Sequence, residues 1–250
     1  MSINPISQVL ALLRLMKAGG LKKRPSDLLA LWADQKNLTP SSMAKVSAYL
    51  CDNLEVARYF ISQSNLDSEQ KAGPLNTINL LSNTFAYSAL HSAHSPWQAR
   101  IDSDISQFSV LSMMLGLPKE AQSPPELADL IADVENIRQQ FSDADIDPLV
   151  RDTAQKHIDI LLCLLKNAQT FGIDAAKAAY AELVVRLLGA VRSSKSGPTP
   201  KVMTIWAEIE RWSGRLAIID QAWTHGANLL SKFESVPAIM HQLAGIAGTS

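Results

Sequence analysis

Three times along this chain a capping residue is followed directly by proline and then by apolar residues three or four apart: Thr39-Pro40, Asp147-Pro148 and Thr199-Pro200. Proline is preorganised for the first position of a helix, where its missing N–H costs nothing, and the residue before it can accept from the free amides of the first turn. After Pro40 come Met43, Val46, Leu50, Leu54, Ala57 and Ile61. After Pro148 come Val150, Thr153, His157, Ile160, Leu161, Leu164, Ala168 and Phe171, and after Pro200 come Val202, Ile205, Trp206, Ile209, Trp212, Leu216 and Ile219. Such spacing lines one face of a helix. No run alternates with period two between turn signals, so the expected class is all-α, a bundle of about eight to ten helices with helical hairpins and no β-sheet.

The remaining segments read the same way. A first helix over 5–18 should end at Gly19-Gly20, and a second, capped by Ser26 or Asp27, should carry Leu28, Leu29, Leu31 and Trp32. The polar stretch 64–73 reads as a loop, followed by helices over 74–94 and 97–115 and, beyond the proline-interrupted KEAQSPPE, a helix over 125–141. Gly172 should stop the helix begun at Pro148, with Asp174 capping the next, so 148–192 forms a hairpin. The serine, glycine and proline of 193–200 read as a linker between a main helical domain, 1–192, and a C-terminal helical segment, 201–250, bent at Gly214 or Gly226.

A net charge of −1 hides a division, since 1–100 is +4, 101–160 is −8 and 161–250 is +3. The acidic middle is expected to face solvent, to fold against the basic N-terminal region or to meet a basic partner. Two cysteines, Cys51 and Cys163, give neither a disulfide framework nor a zinc finger, which favours a reducing, cytoplasmic setting. The N-terminal charges follow the apolar run, the wrong order for a secretory signal, and no window of about 18 uncharged apolar residues predicts a spanning helix.

Chemistry is sparse. His157 falls on an apolar stripe, and Cys163, six residues on, lies roughly 240° around the helix, so the two cannot form a nucleophile–base pair. A histidine there is expected to be structural, bonded to a neighbouring helix. His91 and His94 supply two imidazoles where zinc usually takes at least three protein ligands, with Asp102 and Asp104 beyond a proline. Asp143, Asp145 and Asp147 alternate as in a calcium loop but lack its glycine and terminal glutamate. Phosphate-loop, nucleophile-elbow and metalloprotease patterns are missing from the sequence, so no cofactor, metal or catalytic residue is predicted.

What the sequence offers is surface for binding. Trp206 and Trp212, with Arg211 and Arg215, are candidate interaction residues. Residues 28–50 resemble a helix-turn-helix, with Ala33 at the small position, Asn37 at the turn and Leu38, Met43 and Val46 at buried positions; Lys36 departs from the pattern. The resemblance implies that Ser41, Ser42 and Lys45 begin a helix entering the major groove while Lys22, Lys23 and Arg24 meet phosphates. Three functions follow as expectations: a non-enzymatic adaptor binding a protein partner or itself, in a setting such as a bacterial defence or toxin-immunity assembly; a DNA-binding regulator using 28–50; and a membrane-active protein whose C-terminal region lies at an interface.

Overall fold

The structure, a computed structural model, describes residues 4–20, 24–32, 39–91, 97, 99–115, 123–142, 146–194 and 199–225. Among these the secondary structure is helical, with no strand. The α-helices are α1 (Pro5–Gly19), α2 (Pro25–Trp32), α3 (Pro40–Gln63), α4 (Ser68–Phe85), α5 (Ile101–Met114), α6 (Pro125–Gln140), α7 (Pro148–Lys166), α8 (Ala168–Ser193) and α9 (Pro200–His225), with a 3-10 turn at Tyr87–Ala89. The cap-proline starts act as their chemistry dictates. Thr39 accepts from the Ser42 amide at 3.2 Å and Asp147 from the Leu149 amide at 2.9 Å, while Thr199 accepts from the Val202 amide at 3.3 Å.

One apolar core joins all nine of the helices among the described residues. α7 lies at its centre, packed against α3, α6 and α8, and every residue from Ile160 to Leu165 is buried, so this half of the helix is enclosed on all sides. α9 packs on α6 and α8, and Val202, Ile205, Ile209, Trp212, Leu216 and Ile219 belong to the same core as α1 to α8. The helix runs unbroken through Gly214; Gly226 and the tail beyond it lie outside the described residues, as do 195–198 of the expected linker.

Several helix boundaries differ from the sequence reading, each for a local physical reason. α4 starts inside the stretch read as a loop, because Asp67 and Gln70 form a reciprocal capping box: Asp67 Oδ1 accepts from the Gln70 amide at 2.8 Å, and Gln70 Oε1 from the Asp67 amide at 3.1 Å. Pro74, expected to open a helix, therefore stands within one. α4 ends at Phe85 and not near His94, and the chain turns so that the carbonyl of buried Leu90 accepts from the Ser26 amide at 3.0 Å. The Phe85 ring meets Trp32 of α2, centroids 5.6 Å apart. α5 begins at Ile101, four residues late, while Trp97 is buried and donates from Nε1 to Thr84 at 3.2 Å.

The α7–α8 connection breaks twice. Asn167 closes α7, its Nδ2 donating to the carbonyls of Cys163 at 2.9 Å and Trp32 at 2.8 Å. Gly172 then takes φ 76°, ψ 158°, a region essentially reserved for glycine, and kinks the chain inside α8, so the helix begun at Pro148 stops at Lys166 and not at Gly172 as the sequence reading had it.

Candidate functional site

Of the residues that the helix-turn-helix resemblance assigned to DNA, Ser42 and Lys45 are engaged within the fold. Ser42 is buried and its hydroxyl lies 2.9 Å from that of its cap, Thr39. Lys45, half-buried, forms an ion pair with Glu182 of α8. Ser41 is exposed beside Thr39, and exposed Arg24 pairs with Asp27 at 3.0 Å. Only eight residues form α2, whereas α3 continues for 24, burying Leu50, Leu54, Ala57 and Ile61. Lys22, Lys23 and the turn 33–38 lie outside the described residues.

Lys45 belongs to a polar cluster where α3, α7 and α8 meet. His157 is buried there among charges, with Lys45 from α3, Lys156 from its own helix and Glu182 and Arg186 from α8, and Arg186 Nε lies 3.5 Å from Glu182. Burial pushes the imidazole below the ordinary histidine value, Lys45, Lys156 and Arg186 push the same way, and Glu182 only partly opposes them. Burial acts to raise the Glu182 carboxyl; the hydrogen bond and charge of Lys45, with His157 and Arg186, overcome it and hold it low.

Linkage follows from the His157 shift. With a folded-state value below that of the unfolded chain, unfolding takes up a proton, so stability is complete above about pH 7 and falls as pH drops below about 6.5. Chemical denaturation of the protein between pH 7.5 and 5 should show this decline, and His157→Gln should flatten it. An equally steep decline in the variant would assign the loss to other groups.

The other sequence candidates scatter. His91 is exposed at the turn after α4, and His94, Asp143 and Asp145 lie outside the described residues. Asp102 pairs with Lys17 at 2.7 Å, and Asp104 is buried in a network with Arg100 and Thr77. No group of three metal-ligating side chains forms among the described residues. Cys51 and Cys163 are free thiols, and burial pushes that of Cys163 up to about 12, far from a reactive thiolate. Trp212 is core, Trp206 is half-buried with Nε1 donating to Glu210 at 2.6 Å, Arg215 pairs with Asp133 of α6, and Arg211 is exposed. Part of the acidic middle is thus met from within, by Lys17, Lys166 to Glu135 at 2.8 Å and Arg215.

Sequence reasoning missed a second apolar face. On α3, Val56, Tyr59 and Phe60 line up beside the buried stripe; on α5, Val110, Met113 and Met114 do the same. Tyr59 is 69% exposed and Met113 71%. Between the ends of these helices runs an open groove of about 500 Å³, lined by Phe60, Leu66, Met114 and Leu115 with a polar edge of Gln63, Ser64 and Asn65. The signal in the sequence was the spacing of Val56, Tyr59 and Phe60, outside the stripe that alone was read. No helix among the described residues is long and apolar enough to cross a membrane. No protein-family model, curated protein or solved structure matches this chain.

Proposed function

We propose that the chain is a non-enzymatic helical binding protein that works by protein–protein contact, with the α3–α5 groove as its docking surface and an amphipathic helix of a partner protein as the occupant. The observation that carries this reading is the apolar groove itself, flanked by exposed tyrosine, valine and methionine from two helices. Surfaces of that kind, with a polar rim, mark contact sites. The described residues offer no sheet edge for strand addition, so the recognition mode that suits this surface is a helix laid into a groove by anchors at i, i+3 or i+4 and i+7. Met113 and Met114 can adapt their shape to such anchors. Free thiols at Cys51 and Cys163 suit a reducing, cytoplasmic setting.

The test is the solution mass of the purified protein, alone and after recovery with native cell extract, by size exclusion with light scattering. We expect a complex that Tyr59→Glu and Met113→Glu each weaken more than tenfold, or about 1.4 kcal/mol or more, with unchanged melting temperatures. A dimer of the protein alone, lost in the same variants, would replace the partner helix with a second copy. Retention of the complex in both variants, or no complex at all, would overturn the reading.

A further inference from the structure

The outer side of the α8–α9 pair carries a seam on each helix, and neither seam shares a residue with the α3–α5 groove. On α8, Ala178, Ala181, Val185, Leu188 and Arg192 are all exposed and follow one another at alternating steps of three and four. On α9, Met203, Ala207, Glu210, Gly214 and Ala217 do the same. Val185 is 66% exposed and Met203 55%, and among the described residues nothing packs over this face. Steps of three and four are the pattern of a helix that meets another along its length. Both helices already bury a separate stripe in the core, so these seams are surplus to the fold of one chain. Gly189 and Gly214 stand inside the same two helices, where glycine costs about 1 kcal/mol relative to alanine. A Cβ at either would meet nothing within 4 Å among the described residues, so the room they leave serves only something that approaches from outside.

We propose that this face is the contact between two copies of the chain, with α8 of one lying on α9 of the other about a two-fold axis parallel to the helices. Within one copy α8 and α9 run antiparallel, fixed by the Lys177–Asp220 ion pair and by the Tyr180 hydroxyl bonded to Ser213. Val185 therefore stands level with Glu210, Leu188 with Ala207 and Ala181 with Gly214. A two-fold parallel to the helices keeps those levels and lays each residue against its counterpart in the second copy. Leu188 of one copy then faces Ala207 of the other, and Ala181 faces Gly214, large against small, as close packing of helices requires. On the flanks, exposed Arg186 meets Glu210 of the second copy, and exposed Arg211 meets its Glu182, opposite signs at each edge. About 30 Å of each helix, two helices wide at about 10 Å apiece, offers roughly 600 Å² of projected face per copy, near the ~800 Å² that each partner buries in a standard interface.

Light scattering of the full chain over a range of concentrations tests this, with a dimer expected at a Kd below about 20 µM. Val185→Glu and Gly214→Leu should each weaken it more than tenfold without lowering the melting temperature, since both positions are exposed and leucine favours a helix over glycine. Tyr59→Glu, on the α3 face, should leave the dimer intact, which separates this contact from the groove. Leu188→Cys and Ala207→Cys proteins, mixed and oxidised, should give a disulfide-linked dimer that neither gives alone. A monomer at about 200 µM, roughly ten times the upper limit set for Kd, overturns the proposal. So does a dimer that survives either Val185→Glu or Gly214→Leu, a dimer lost in Tyr59→Glu, or the absence of the mixed disulfide.

Discussion

Trp212→Ala is expected to lower the free energy of unfolding by about 4 kcal/mol, the usual range for deleting a fully buried tryptophan. Trp212 is 2% exposed and sits among the α9 residues that join the common core, so truncation leaves a cavity at the α6–α8–α9 junction. For a chain of this size the loss corresponds to roughly 8–16 °C in Tm. Trp206→Ala should cost about 1 kcal/mol, because its ring is half-buried and its Nε1 bond to Glu210 is exposed. Arg211→Ala should change stability by less than about 0.5 kcal/mol. Urea denaturation followed by circular dichroism reads all three. Well below its melting temperature, Trp212→Ala should still form the complex that Tyr59→Glu loses. A stable Trp212→Ala protein with lost partner binding would return the interaction surface to α9.

The contrast between Trp206 and Trp212 shows what could be read from the chain and what could not. Periodicity placed both on one helix and put that helix in register with a core, and the cap-proline pairs located three helix starts to the residue. It did not say on which side of the stripe each ring lies, because a position six residues from another is turned by about 240° and only packing decides which direction faces inward. The apolar character of Tyr59 and Met113 was equally visible, yet its exposure follows from how α4 packs on α3 and α5 on α1 and α4. The capping box at Asp67 and Gln70 was legible in principle; the polar composition of 64–73 masked it. Lys45 and Glu182 lie 137 residues apart, so their ion pair, and the withdrawal of Lys45 into the fold, had no local signal at all.

The same limit governs Asp104, whose replacement by alanine is expected to cost about 3 kcal/mol. The side chain is buried, 4% exposed as a residue, and it accepts from Arg100 Nε at 2.7 Å, from Arg100 Nη2 at 3.0 Å and from the Thr77 hydroxyl at 2.9 Å. Thr77 is itself fully buried on α4, so losing the carboxylate strands a hydroxyl with no water to replace it. Arg100 keeps two compensations, partial exposure and a position 5.7 Å over the Trp97 ring, which place the cost at the lower end of the range for breaking a buried pair. Asp104→Asn preserves volume and one acceptor and should cost about half as much. Thr77→Val should cost about 1 kcal/mol alone and add little to Asp104→Ala, giving a coupling of about 1 kcal/mol in the double-mutant cycle. Strict additivity in that cycle would mean that Thr77 and Asp104 act separately, and that apolar packing of Ile78, Leu81, Phe108 and Leu111 alone seats α5 on α4. Coupling would make the network the device that fixes the register between these helices, and with it the place of Met113 and Met114 at the end of α5.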